Sequence, residues 1–455
     1  MKKTVYIILI ALSIHAAYAA NTLILTFPQI KKRALKENVD KIIRENDIAI
    51  SKNRYISAVR KLYYPELSFD LSSPFTMKQS SSISPGSTNY NLIGTLLLQE
   101  KLPWDTLVEM ELKDTYGIVP SRTNTLSAEV RLTQPLFKES QGLSDKNLRD
   151  REHRLALFRL AQYERDLIYE AASRYYDLVL KDSSLDLSKK KIEISSNNVD
   201  ETQRKFDAGL ITEITLLRIM LNHKRNIVSY NNLLKDKRNI KEQLARLLNI
   251  DKDDQFEIEI AIDYAPEHFD LDGSIQSTMS NDLRLRSIDH DIWKENEQYK
   301  KTVDEHTVTG NLTFAYGRDL SEDDNYSVRA GLRFDAPVYK RGNLKRLKEN
   351  HELSLDNLNL RYTDRIKQIE YNIMSTLENL ADISSSISIA EEKLLIAQKS
   401  HDIDTERFKM GLITADVLIQ TEEDYFNAEL ELVSKKIEYI EAVLYLENTY
   451  YMVRQ

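Results

Sequence analysis

The sequence contains no cysteine among its 455 residues. That absence removes disulfide scaffolds, thiolate metal sites, thiol catalysis and lipidation of an N-terminal cysteine. Chain breakers are nearly as scarce: eleven Gly and nine Pro make up about 4% of the residues, against a usual share of about 12%. So few breakers predict very long helices. Past the N-terminal segment, no apolar run reaches the roughly 18–20 residues that a membrane-spanning helix requires, so any insertion into a bilayer has to be made by strands. An excess of basic charge is missing too. The 63 Lys and Arg stand against 71 Asp and Glu, for a net charge of −8 without a local basic stripe, which argues against nucleic acid as a partner. The eight His show no HExxH spacing, and neither a Gly-rich phosphate loop nor a GxSxG elbow occurs. No catalytic residue, metal site or cofactor is expected.

What is present is a hydrophobic fraction of 42%, enough for a folded chain. The N-terminus reads as an export signal. Lys2 and Lys3 precede an apolar run from Val5 to Leu12, and Ala17-Tyr18-Ala19 has the small-x-small pattern of a cleavage site. Residues 1–19 are therefore expected to be a signal peptide, the apolar run being too short to anchor the chain.

An internal duplication organises the rest. Phe206-Asp207-Ala208-Gly209-Leu210-Ile211-Thr212 recurs as Phe408-Lys409-Met410-Gly411-Leu412-Ile413-Thr414, an offset of 202. The segment Val130–Lys138, with Pro135, aligns at the same offset with Leu332–Lys340, with Pro337. Two motifs far apart in the chain do not hold one register by chance. Nearer the N-terminus the offset grows to about 243–245, pairing Asn38 with Asn281 and Leu67-Ser68-Phe69 with Leu312-Thr313-Phe314, so the first half carries an insertion within 74–125. Residues 91–116 could form an added hairpin turning at Pro103-Trp104-Asp105.

Heptads fill the space between the paired motifs. Leu178, Leu185, Ile192, Val199 and Phe206 are spaced by seven, as are Ile366, Ile373, Leu380, Ile387, Leu394, His401 and Phe408. After each FxxGLIT motif the seam resumes, through Ile214, Leu221 and Val228 in one half and Leu418, Tyr425, Leu432, Tyr439 and Leu446 in the other. This is the coiled-coil period. Helices over about 143–207 and 343–409 would each be roughly 95–100 Å long at 1.5 Å per residue. Gly209 and Gly411 suit the left-handed residue that ends a helix, and Thr212 and Thr414 suit the N-cap of the next.

The strand segments alternate with period two. Leu312, Phe314 and Tyr316, and likewise Val328, Leu332 and Phe334, form apolar rows backed by polar ones. Leu67, Phe69 and Leu71, and Leu126, Ala128, Val130 and Leu132, repeat the pattern in the first half. Strands of this length, apolar outward and polar inward, suit a transmembrane β-barrel. Phe314, Tyr316, Leu332 and Phe334 would face lipid, while Arg131 and Arg333, at equivalent positions of the two halves, would face the lumen beside Glu129 and Asp335.

With Tyr64-Pro65-Glu66-Leu67 closing the first helix, Pro-aromatic strand ends at Pro135 and Pro337, and duplicated FxxGLIT tips, the mature chain resembles the TolC-like outer-membrane efflux protein family over nearly its whole length. The resemblance implies a mainly α fold with a transmembrane β-barrel part: internally duplicated coiled-coil hairpins plus β-strands, assembling as a trimeric α/β-barrel tunnel. It also implies the outer membrane, with an extension into the periplasm, as location. The partners it implies are two further copies of the chain, a periplasmic adaptor protein, an inner-membrane pump and outer-membrane lipid. The tips Phe206, Gly209, Leu210, Ile211, Thr212 and Phe408, Gly411, Leu412, Ile413, Thr414 would then dock the adaptor. Family members often carry an acidic residue six positions after the tip glycine, lining the closed periplasmic aperture; here Thr215 and Val417 stand there, and Asp416, one residue early, is either the aperture candidate or a carboxylate favoured by the dipole at the start of its helix.

The expected organisation is a signal peptide 1–19, a helix 20–64, barrel strands 65–137 with an inserted loop or hairpin 74–125, and a helical hairpin 138–249. A connecting segment 250–273, a helix 274–308, a strand hairpin 309–340 and a second helical hairpin 341–455 complete it. The rival reading is a periplasmic coiled-coil adaptor or scaffold. An adaptor has one helical hairpin between small β domains, whereas this chain has two hairpins, each preceded by alternating strands.

Overall fold

The computed structural model describes residues 23–78, 87–119, 122–137, 140–251, 256–260, 262, 264–267, 269–321, 325–336 and 343–451. The expected signal peptide, the strand end at Pro337 and parts of the loops 78–89 and 318–325 lie outside these residues.

Helices dominate and come in matched pairs. In the first repeat they are α1 (Phe27–Glu37), α2 (Val39–Tyr63), α3 (Gln141–Asp207) and α4 (Glu213–Leu247). In the second they are α5 (Leu271–Asn281), α6 (Leu283–His306), α7 (Asn343–Lys409) and α8 (Ala415–Tyr450). Both α3 and α7 have 67 residues. Among the described residues no helix is long and apolar enough to cross a membrane.

The single N-terminal helix expected in each repeat is in fact two. Asn38 stops α1 in extended backbone and starts α2 by accepting from the Lys41 amide at 3.0 Å, while its Nδ2 donates to the Leu247 carbonyl. The corresponding break falls at Asp282, which ends α5 at ψ 120°. The register of the duplication is therefore Asn38 with Asp282, one residue from the pairing with Asn281 that the sequence suggested. A polar side chain that can satisfy freed backbone amides breaks the helix here despite a continuing heptad.

The chain divides into two compact units. The first comprises Met1–Arg44, Leu160–Asp282 and Ile366–Gln455. Its core gathers Ile30 and Ala34 of α1, Leu167, Ala171, Tyr175 and Val179 of α3, Leu244 of α4 and Ile437 of α8 around a small parallel pair, β1 (Leu23–Leu25) and β7 (Phe256–Ile258). The fully buried Tyr175 donates its hydroxyl to the Glu259 carbonyl at 2.7 Å, so its polar end is satisfied as burial requires. In the same unit Ile373, Leu380, Ile387 and Phe408 of the long α7 seam are buried, and His401 stacks on Tyr425. The seam on α4 is different. Leu216, Ile219 and Leu244 form its inner face, and the expected seam residues Ile214, Leu221 and Val228 are 65%, 50% and 59% exposed.

The second unit, Glu45–Arg159 and Leu283–Arg365, contains a seven-stranded antiparallel sheet. Its order is β2 (Glu66–Ser72), β4 (Ser87–Lys101), β5 (Leu107–Val119), β6 (Thr123–Leu136), β8 (Thr309–Asp319), β9 (Tyr326–Asp335), with β3 (Phe75–Lys78) on the far end of β4. The insertion in the first repeat is thus strand, turn, strand: β4 and β5 enter the sheet between β2 and β6.

Candidate functional site

The hairpin tips are built twice with one geometry. Gly209 has φ 72° and Gly411 φ 73°, the left-handed conformation that glycine adopts without steric penalty. At each, the glycine amide donates to the carbonyl of the tip phenylalanine, Phe206 at 2.8 Å or Phe408 at 3.0 Å. The next amide reaches one residue further back, Leu210 to Lys205 at 2.9 Å and Leu412 to Arg407 at 2.8 Å. These two bonds are the Schellman closure of an α-helix. Thr212 then caps α4 through the Thr215 amide, whereas Thr414 makes no side-chain cap to α8.

This closure sorts the paired apolar residues. Leu210 and Leu412 are 74% and 70% exposed, while Ile211 and Ile413 are half-buried. Ile413 packs on the cluster of Ile219, Phe408, Ala415 and Leu418. Phe408 is buried, Phe206 half-buried, and the Lys205 ammonium lies 4.7 Å from the Phe408 ring centre. Asp416, in the first turn of α8, forms an ion pair with Arg218 of α4. Arg218 was not singled out from sequence, because its partner is 198 positions away.

In the sheet the expected alternation becomes two faces. Register places Leu67, Leu98, Met110, Val130, Tyr316 and Val328 side by side across all six strands of the path. The parallel row one residue on reads Glu66, Gln99, Glu109, Arg131, Ala315 and Arg329, on the opposite face. Phe314, Tyr316, Leu332 and Phe334 lie on the exposed apolar face. Arg131 and Arg333 lie on the polar face, each with the carboxylate expected beside it: Arg131 to Glu129 at 2.7 Å and Arg333 to Asp335 at 3.1 Å. Glu129 also takes Arg329 at 2.5 Å, and Glu109 lies 3.7 Å from Arg131.

One residue organises the inserted hairpin. Asp105, with φ 66°, turns the chain between β4 and β5. Its carboxylate accepts from the Gln141 amide at 2.8 Å, the Gly142 amide at 3.4 Å and the Ser140 hydroxyl at 3.1 Å, and pairs with Lys101 at 3.2 Å. Burial pushes its pKa up, but the donated amides and the Lys101 charge outweigh burial and hold it below the usual range. The hairpin turn thereby caps the N-terminus of α3. Only the turn itself, Pro103-Trp104-Asp105, was visible in sequence. Among the described residues no group of three or more His, Asp or Glu is placed to hold a metal ion.

No protein-family model matches the chain. Outer membrane protein TolC of Escherichia coli (strain K12) is 22% identical over 377 residues, which span 76% of this chain and 72% of TolC. The Campylobacter jejuni CmeC outer membrane channel superposes with a TM-score of 0.73 at 14% identity, covering 93% of this chain and 85% of that one. The fold is TolC-like. The outer membrane protein VceC from Vibrio cholerae gives a TM-score of 0.66 at 14% identity, over 93% of this chain and 95% of VceC. The resemblance carried by the FxxGLIT tips is borne out. A TolC-like fold also accounts for the mainly helical composition and for the repeat of helix, strands, long helix and hairpin.

Proposed function

We propose that the chain is the outer-membrane channel of a tripartite efflux or type I secretion system. It conducts substrate passively to the exterior, with energy supplied by an inner-membrane pump. The observation that carries this reading is the unbroken apolar row from Leu67 to Val328, backed by a row in which Glu66, Glu109, Arg131 and Arg329 are charged, in a chain without a membrane-spanning helix among its described residues. A sheet apolar on its exposed face and polar on the other is what a bilayer on one side and water on the other select. A periplasmic adaptor has no use for such a surface, so the adaptor reading is not favoured.

Three copies would close the sheet into a barrel, apolar face to lipid, with Arg131 and Arg333 inside. The exposed α4 stripe of Ile214, Leu221 and Val228 supports association, as does a second heptad on α7, Ile389, Ile396, Ile403 and Met410, also exposed. Apolar heptads left uncovered by their own chain are seams for another copy. The hairpin tips would form the periplasmic end, Leu210 and Leu412 meeting the adaptor and Asp416 lining the aperture.

Membrane fractionation of cells expressing the full chain tests the proposal. The expected result is a trimer in the outer-membrane fraction that runs as a larger species until boiled, together with loss of export when the gene is deleted. A soluble periplasmic monomer would refute it.

A further inference from the structure

We infer that the β4–β5 hairpin is part of the membrane wall, so that each copy contributes six strands and the free edge of β9 pairs with the free edge of β2 in the next copy. The inference rests on the channel reading and on three copies per channel.

The duplication supplies the reference state. β2 matches β8 and β6 matches β9 in sequence, and in the second repeat the two strands pair directly, Leu312 opposite Leu332. A chain built from two such repeats alone would offer four strands. In the first repeat β2 and β6 do not pair; β4 and β5 stand between them over long registers, Gln99 to Lys101 opposite Glu109 to Leu107 at one end and Leu92 opposite Tyr116 towards the other.

Three observations make the hairpin wall rather than loop. Its residues carry the apolar row across without a gap, with Leu98 and Met110 between Leu67 and Val130. Its polar side continues the charged face through Gln99, Glu109 and Glu111. Its turn is fastened at two places, by Asp105 to the start of α3 and by the Thr106 hydroxyl to the Gln134 side chain of β6.

The edges identify the partner as another copy of this chain. Every pairing along the path from β2 to β9 is antiparallel, and five antiparallel steps leave β2 and β9 running in opposite directions. Setting β9 against β2 of a neighbour is therefore a sixth antiparallel step, and the ring closes without a defect. All residues of both edge strands are exposed. Unpaired edges are otherwise covered, bulged or charged against association, and closure removes them. The apolar row ends on Leu67 at one edge and Val328 at the other, so closure continues the row. On the polar side β2 presents Glu66 and Asp70 where β9 presents Arg329 and Arg333, which is complementary charge.

Three copies then give 18 strands in place of 12. With a strand spacing of about 4.8 Å and a tilt of about 40°, the backbone diameter rises from roughly 24 Å to roughly 36 Å. The membrane segment then admits solutes that the narrower wall would exclude, and size selection passes to other parts of the tunnel.

The test is a strand count by cryo-electron microscopy of the full-length protein in lipid nanodiscs, joined to disulfide mapping on the naturally cysteine-free chain. Gly331→Cys, where an added Cβ meets nothing within 4 Å, is combined in turn with Ser68→Cys, Asp70→Cys and Ser72→Cys. We expect an 18-stranded wall and one combination that links copies into covalent trimers on oxidation. A trimer with a 12-stranded wall, the hairpin outside it and Asp70→Cys linking to Ser127→Cys of β6 within one chain would overturn the inference and leave the channel reading standing. No membrane-embedded ring at all would overturn both.

Discussion

Arg218 of the first hairpin and Asp416 of the second form an ion pair that joins the two tips. The duplication does not explain it. At the offset of 202 their counterparts are Gln420 and Ile214, so the pair is a feature added to the repeat. Both side chains are exposed, and exposed pairs contribute about 0–1 kcal/mol. Its value is positional rather than stabilising. Arg218→Ala and Asp416→Ala are each expected to leave melting unchanged and to raise single-channel conductance in planar bilayers. The charge-swapped pair Arg218→Asp with Asp416→Arg is expected to return conductance to the wild-type level. Equal conductance in all four proteins would remove Asp416 from the aperture.

Docking is tested at the apex. Leu210→Asp with Leu412→Asp places charge on two exposed side chains, so folding and membrane insertion are expected to survive while adaptor cross-linking and export are lost. Gly209→Val or Gly411→Val acts differently, because a β-branched residue tolerates positive φ poorly. Those variants are expected to lose stability by about 1–3 kcal/mol as well as export. Normal cross-linking in the double Asp variant would exclude the leucines as the docking surface.

The apolar row is tested by charge. Phe314→Arg, Leu332→Arg and, in the inserted hairpin, Met110→Arg each put a guanidinium on the face read as lipid-facing. Each is expected to cost about 2–4 kcal/mol near mid-bilayer, seen as a drop in trimer recovered from the membrane. Ser68→Arg and Thr313→Arg, on the polar face, are the controls and should assemble.

Neutralising Arg131 and Arg333 together is expected to shift reversal potentials toward cation selectivity, since Glu109, Glu129 and Asp335 would be left without these partners. Arg329, which also pairs with Glu129, should make the shift larger when it is added. Unchanged selectivity would place these arginines outside the conducting path.

The helical part of this fold was legible because little interrupts it. Few glycines, unbroken heptads and a repeated tip put the ends of α3 and α7 within two residues of where they lie. The break at Asn38 was hidden by the same regularity: Leu35 and Ile42 keep the seven-residue spacing straight across it, and what ends the helix is a side chain bonding to Lys41 and Leu247. Ile214, Leu221 and Val228 show the converse, a true heptad that its own chain does not bury. The role of Asp105 depends on amides 36 and 37 positions further on, and three-residue strands such as β1 and β7 leave no period to read. Spacing reveals local structure; it does not reveal which surface covers it.

Glu422 of α8 is 2% exposed and accepts from the Asn198 side chain of α3 at 2.7 Å. Burial raises its pKa, and neither the Asn198 hydrogen bond nor the nearby Lys191 charge offsets that. The folded form therefore holds the proton to higher pH than the unfolded chain does. Between the ordinary glutamate value and the raised one, folding binds a proton, and stability falls as pH rises through that window. Above it, the buried charge is a fixed penalty. Glu422→Gln keeps the size and an acceptor for Asn198 but removes the charge. It is expected to raise the melting temperature at pH 8 and to lose that advantage at pH 4, where the wild-type acid is itself neutral. An equal advantage at both pH values would mean that packing, not ionisation, sets the difference.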